Sequence, residues 1–195
     1  RPGQVLNLDR MDSSLVYMDS RNGEILSQWR LPESKASIRH LDVAADGTVA
    51  IATQVQRPAM SSRDLIPLGA LHRQGQPLQL LQAPVALMQQ FDDYMGSVVI
   101  NNRERLAGFT SPHGNLAAFW HLDDGQLAGY HAFFDVCGMT CSRDESHYVL
   151  SNSAGEVRML KATSLREERN LLMKFEGRHW DNHMGTLLLP ASGAV

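Results

Sequence analysis

Long apolar runs are missing: no stretch of this sequence comes near the roughly 18 uninterrupted apolar residues that a membrane-crossing helix needs. The N-terminus also lacks the charged, apolar and small-residue order of a secretory signal. As given, the chain reads as neither membrane-spanning nor addressed. Cysteine is scarce, with two among 195 residues, which excludes a disulfide framework. Positive charge is not in excess. Eighteen Lys and Arg stand against 21 Asp and Glu, the formal net charge is −3, and no basic stripe is present. Nucleic acid, which binds by releasing counterions to clustered Lys and Arg, is therefore not an expected partner. Familiar chemical motifs are absent too: no G-x-S-x-G, no P-loop, no H-E-x-x-H, no C-x-x-C-H and no EF-hand spacing. Without a nucleophile–base set, a non-enzymatic protein is the first expectation.

What the sequence has is alternation. Apolar and polar residues exchange with a period of two over short runs separated by Gly, Asn and Asp, the pattern of half-buried strands joined by tight turns. The predicted strands are 15–19, 25–31, 38–44, 49–54, 68–72 and 77–81, with turns at Arg21-Asn22-Gly23, Ala45-Asp46-Gly47 and Arg73-Gln74-Gly75. A polar, Pro-containing stretch runs from Gln56 to Pro67. One short helix is predicted at 84–90, where good helix formers follow a proline.

The second half repeats the first. Setting Ile38-Arg39-His40-Leu41-Asp42-Val43 over Met95-Gly96-Ser97-Val98-Val99-Ile100 and over Val136-Cys137-Gly138-Met139-Thr140-Cys141 aligns three apolar columns. These are Ile38/Met95/Val136, Leu41/Val98/Met139 and Val43/Ile100/Cys141. Each copy leads into a second strand (49–53, 106–110, 148–151), a third (68–72, 117–121, 157–161) and a fourth (77–81, 126–132, and a less regular 169–175). Period and strand number predict an all-β, β-propeller fold with four-stranded antiparallel blades. The blades are approximately 13–33 (half), 37–82, 94–133, 135–175 and 178–189 (half), within a single domain spanning 1–195. The chain opens on a third and fourth strand and closes on a predicted first strand at 179–189. Two arrangements accommodate that phase: the ends share one composite blade in a four-bladed ring, or about four blades form part of a larger propeller of about seven.

The inner strands carry a family resemblance. Ser37-Ile38-Arg39-His40-Leu41 with Ala44-Ala45-Asp46-Gly47, Gly96-Ser97-Val98, Thr110-Ser111-Pro112-His113-Gly114 before Ala118-Phe119-Trp120, Asp135-Val136-Cys137-Gly138, and Arg178-His179-Trp180-Asp181-Asn182-His183 resemble, in order and spacing, the DUF1513 family of bacterial propeller-like proteins. The resemblance runs over almost the whole chain. It implies a protein about twice as long, of which this is the C-terminal half, carrying a twin-arginine export signal and residing in the periplasm. It also implies an iron-uptake setting beside imelysin-like or di-haem peroxidase-like partners. On that reading the missing signal reflects truncation.

First strands line a propeller's channel, so their polar residues are the candidate ligand-binding set at the channel mouth: Arg39, His40, Ser97, Cys137, Asp181, Asn182 and His183. Small Gly96 and Gly138 suit a narrow channel. His40, Asp181 and His183, with His179 and Asp42 nearby in sequence, form the candidate metal set, for which iron, copper or zinc is the suitable cofactor. His179 and His183 lie about 13 Å apart if both sit on one straight strand, and only a bulge would bring them together. Hydrogen bonding between strand ends, and an Arg39–Asp181 ion pair across the channel, explain the same residues without a ligand. Cys137 and Cys141, four apart on one strand, are too distant for a disulfide. Cys141 is expected buried and Cys137 more exposed. His72, His113, His121, His131 and His147 are expected on solvated outer strands or turns, and Asp123-Asp124-Gly125 and Asp144-Glu145 at hairpin tips. Nine methionines serve as core filler. A homodimer through open blade edges is a further expected assembly.

Overall fold

A computed structural model of the chain describes residues 8–187. It contains three four-stranded antiparallel sheets and one two-stranded sheet. The two-stranded sheet pairs β1 (Ser14–Met18) with β2 (Ile25–Arg30). The first full blade is β3 (Ala36–Val43), β4 (Val49–Val55), β5 (Gly69–His72) and β6 (Gln79–Leu80), hydrogen-bonded in that order. The second is β7 (Ser97–Asn101), β8 (Leu106–Ser111), β9 (Leu116–His121) and β10 (Leu127–Ala132). The third is β11 (Val136–Cys141), β12 (His147–Asn152), β13 (Glu156–Lys161) and β14 (Met173–Lys174). One short α-helix among the described residues, α1 (Val85–Gln90), starts after Pro84 and links the first full blade to the second. No helix among the described residues is long and apolar enough to cross a membrane.

The alternation read from the sequence becomes packing between blades. β7 lies against β3 and β4 of the blade before it, and β11 against β7 and β8. Phe109, Trp120, Ile51 and Met95 are fully buried in one core; Phe119, Tyr148, Leu150 and Met139 are fully buried in the next. Trp120 packs edge-on against Phe109 at 5.4 Å, and Phe119 packs tilted against Tyr148 at 4.8 Å. Polar ties stitch the same seams. Asp42 Oδ2 accepts from the Ile100 amide at 2.7 Å, Thr110 Oγ1 donates to the Cys137 carbonyl at 2.7 Å, and Tyr148 OH donates to the Leu106 carbonyl at 3.0 Å. A buried carbonyl or amide without a partner costs about 1–3 kcal/mol, so these bonds hold blade to blade as well as filling space.

Two expectations fail. Residues 178–187 carry no strand, and none of them pairs with β1, so no composite blade closes among the described residues; residues 188 and 189 of the expected half-blade lie outside them. The segment instead runs as irregular chain against the first strands, meeting His40 of β3, Gly96 before β7, and Gly138 and Cys141 of β11, and will be called the strap. Its physical reason is visible in the bonding: residues 179–187 make no backbone–backbone hydrogen bond to any blade. The apolar column is not uniformly buried either. Leu41 and Val43 are exposed while their counterparts in the next two blades are buried, because among the described residues only β1 and β2 precede β3.

Candidate functional site

Backbone irregularity marks the inner ends of the first strands. In β3 the pairing Ile38↔Thr53 is followed by His40↔Ala52, leaving Arg39 as an extra residue, and in β11 Val136↔Asn152 is followed by Met139↔Leu150, leaving Cys137 and Gly138 opposite Ser151. Bulges of this kind twist a strand locally and re-aim its side chains. They fall in the same repeat column, where the sequence places its polar candidates.

The strap completes the site from above. Gly96 and Gly138 give it room: a Cβ on Gly96 would lie 3.0 Å from Asn182 Oδ1, and one on Gly138 would lie 3.0 Å from the Asp181 carbonyl oxygen and 3.1 Å from Met184 Cβ. Asn182 Nδ2 donates to Tyr94 OH at 2.6 Å, His179 Nδ1 meets the Ser153 carbonyl at 2.6 Å, and Thr186 Oγ1 donates to the Cys141 carbonyl at 2.6 Å. These side-chain bonds bring His183 to His40, ring centroids 5.1 Å apart and inclined at 65°. Between them opens a cleft of about 290 Å³ lined by His40, Leu41, Ser97, Val98, Asn182 and His183, with Met184 and Gly185 closing one side.

The surroundings of His40 favour its neutral form. Burial lowers the pKa of His40, the neighbouring His183 and Arg39 lower it further, and Asp181 opposes them. Burial raises the pKa of Tyr94, which keeps its phenol protonated and available to accept from Asn182. The cleft thus presents two imidazoles, a hydroxyl and a carboxamide, an arrangement that can donate and accept hydrogen bonds. Among the described residues, no group of three or more His, Cys, Asp and Glu side chains converges where a metal ion could sit.

Four of the seven candidates, His40, Ser97, Asn182 and His183, therefore line one cleft. Asp181 lies beside it, acting on His40 through its charge, with its Oδ1 accepting from the Asn182 amide at 2.7 Å. Arg39 turns away: its Nη2 donates to Gln54 Oε1 at 2.6 Å, and it lines a separate cleft with Ser37, Gln56 and residues 10–13. Among the described residues it forms no ion pair with Asp181. Cys137 is as buried as Cys141, with its Sγ donating to the Asp135 carbonyl, so the greater exposure expected of it fails. Burial pushes its thiol up to about 11 and that of Cys141 up to about 12. Of the wider metal set, Asp42 is occupied by the Val43 and Ile100 amides, and His179 by Ser153.

The outer histidines were expected to be solvated, and His72 is not. It is fully buried under β1 and β2, with Tyr17 OH 2.7 Å from its Nδ1 and the Trp29 ring 4.5 Å away. His147 bridges Ser146 Oγ and Glu168 Oε2, both at 2.7 Å, and ties a turn to the end of the blade. Tyr94 was missed altogether. The repeat could have found it, since it precedes Met95 as Ser37 precedes Ile38 and Asp135 precedes Val136, at the head of each first strand.

Comparison with known proteins agrees with this architecture. No curated protein matches the chain. Among solved structures, Saccharomyces cerevisiae Sqt1, a WD40 propeller, superposes with a TM-score of 0.68 at 14% identity, over 95% of this chain and 48% of Sqt1. The likeness shows a propeller fold, and the chain spans about half the length of that structure. Residues 2–187 match the model for the protein family of unknown function DUF1513, and the chain belongs to that family.

Proposed function

We propose that this chain is a binding propeller, without catalytic chemistry of its own, that holds a small polar ligand or a side chain of a partner protein at the channel mouth. The observation that carries the reading is the meeting of His40 from β3 with His183 from the strap, 5.1 Å apart, over a cleft shared with Ser97 and Asn182. At about 290 Å³ the cleft sits at the small end of ligand pockets, which suits one side chain or a compact polar molecule better than a drug-sized ligand. Propellers commonly act as rigid platforms, which supports the same class. The setting we propose is the periplasm, in iron handling, with an imelysin-like or di-haem peroxidase-like protein as partner, on the strength of the family resemblance.

The test is isothermal titration of the purified protein with the purified imelysin-like protein, repeated with His40→Ala and Ser97→Ala. The reading expects saturable binding that weakens about tenfold or more in the His40 variant, since a buried polar contact is worth about 1–3 kcal/mol. Equal affinity in all three proteins removes the channel mouth from the interface.

A second reading, metal binding by His40, Asp181 and His183, rests on the two adjacent imidazoles. It requires water or a partner to supply the remaining ligands. Elemental analysis of the protein purified without chelators, with a thermal shift on adding Cu(II), Zn(II) or Fe(II), decides it: stoichiometric metal lost in His183→Ala supports it, and neither metal nor shift ends it.

A further inference from the structure

Burial leaves one imidazole half used. His72, on β5, is 2% exposed, and its Nδ1 sits 2.7 Å from Tyr17 OH. Burial raises the pKa of Tyr17 and lowers that of His72, with the Gln76 backbone opposing the second shift, so a phenol meets a neutral imidazole. A phenol gives a hydrogen bond more readily than it takes one, which points its proton at Nδ1 and puts the ring's own proton on Nε2. That Nε2 is buried and has no hydrogen-bond partner among the described residues. Trp29, whose ring lies 4.5 Å from that of His72, cannot supply one, because its indole nitrogen only donates and is itself unmet. Native proteins rarely keep a buried donor without an acceptor.

His72 lines a cavity of about 80 Å³ at the seam between the first and second full blades, where Thr48, itself 1% exposed, lies beside it and Arg73, Gln76 and Gln79 complete the wall. What these groups have left to offer is mostly hydrogen. Thr48 Oγ1 accepts from Arg73 Nε at 2.7 Å, which leaves the hydroxyl proton to be given elsewhere. Arg73 uses Nε on Thr48 and Nη2 on Asp46 Oδ2 at 3.0 Å, which leaves Nη1. The nearby carboxylates are already engaged: Arg105 Nη2 holds Asp46 at 3.0 Å and Asp123 at 2.7 Å. Three kinds of donor thus line one small space, and two of them belong to buried residues.

We propose that this cavity is a binding site for a small, singly charged inorganic anion of halide size, held by His72 Nε2, the Thr48 hydroxyl and the Arg73 guanidinium. Size sets the upper bound: at about 30 Å³ per water, the space admits about two to three water-sized bodies. Charge sets the valence. Arg73 and Arg105 are balanced by Asp46 and Asp123, so the site offers hydrogen-bond dipoles and a share of one guanidinium, which suits a halide better than a sulfate or phosphate dianion. The ion meets the donors that the chain leaves unmet and bridges β5 to the second full blade, whose Leu122 and Asp123 close the cavity. It therefore acts on the blade seam, independently of the channel mouth.

The experiment melts the 195-residue protein in sodium bromide raised from about 10 to about 300 mM, with sodium gluconate, too large for the cavity, holding the ionic strength and hence the screening constant. Tm rises with the logarithm of bromide concentration, by about 4 °C or more once the ion reaches about thirty times its Kd. His72→Phe abolishes the rise, and Thr48→Val, which keeps the shape and removes the hydroxyl, cuts it to less than half. Crystals soaked in bromide show an anomalous peak within about 3.5 Å of His72 Nε2. If His72→Phe does not fold, Thr48→Val and the soaked crystal decide. Equal melting in bromide and gluconate, a rise that the folded variants keep in full, or water alone at His72 Nε2 overturns the inference. Bromide at that position without any shift in Tm is an adventitious ion only and overturns it as well.

Discussion

Replacing Gly138 by alanine tests whether the strap or the sheet is the softer wall of the site. The added Cβ would stand 3.0 Å from the Asp181 carbonyl oxygen, 3.1 Å from Met184 Cβ and 3.1 Å from Ser151 Oγ, so one neighbour must move by a few tenths of an ångström. Ser151 is fixed in β12, which is bonded to strands on both sides. The strap has no backbone bond to a blade and hangs on Asn182, His179 and Thr186. Segments with few backbone bonds open at low free energy, and the strap should therefore yield. Overpacking costs about 1–3 kcal/mol, offset by about 0.4–1 kcal/mol from the reduced entropy of the unfolded chain, which leaves a net loss of about 0.5–2 kcal/mol. For a domain of this size that is roughly 1–8 °C in Tm. The sharper readout is amide exchange by mass spectrometry. Residues 181–185 should exchange faster in Gly138→Ala while β11 and β12 keep their protection. With the strap lifted, His40 regains water and loses the influence of His183, so its NMR titration should move up toward the ordinary histidine value. Unchanged exchange in the strap, with faster exchange throughout β11 and β12, would refute the reasoning.

Acid should loosen the same site. Burial and neighbouring positive charge lower the folded-state pKa of His40, so near pH 6 the folded state binds fewer protons than the unfolded one. The associated stability is present above the unfolded value of about 6.5 and is lost as pH falls toward the folded value. Thermal melts between pH 7.5 and 5 should fall with a shallower slope in His40→Gln than in the parent, and identical slopes would exclude His40 as a contributor. The two thiols, pushed up to about 11 and about 12 by burial, should not react with Ellman's reagent at pH 8 in the folded protein and should both react in guanidinium. A rapidly titrating native thiol would contradict the burial of Cys137. Tyr148→Phe removes the bond to the Leu106 carbonyl without opening a cavity and should cost about 1–2 kcal/mol by urea denaturation at unchanged m-value; no loss would mean that the bond does not tie the blades.

Alternation made most of the strands legible. Val49-Ala50-Ile51 and Leu116-Ala117-Ala118-Phe119-Trp120 can bury both faces only inside a stacked sheet, and the Asp-Gly and Asn-Gly turns mark where each hairpin reverses. The repeat then gave blade membership, because equivalent columns hold equivalent packing. It misled at Leu41 and Val43, where the column promised burial and nothing among the described residues lies above. It misled again at His179–Leu187, whose residues look like a first strand yet cross three blades without joining a ladder. His72 was misread for a related cause: its strand position shows which face it takes, and only the packing of Tyr17 and Trp29 shows that the face is roofed.

The candidate site was half legible. Polar residues at the head of first strands are visible in the aligned repeats, and His40, Ser97, Asn182 and His183 do meet there. Arg39 and Cys137 were drawn in by adjacency in sequence, but a bulge decides which of two neighbouring side chains faces the cleft, and a one-residue slip exchanges the faces.

By itself, the sequence determined what is local and periodic: strand, turn, four-strand repeat and family, each encoded within a few tens of residues by alternation and by glycine at turns that need it. Tertiary structure alone decided which faces are covered and which histidines meet. Those outcomes depend on contacts between residues far apart in the chain, His40 with His183 and β3 with whatever lies over it, and no short-range pattern records them.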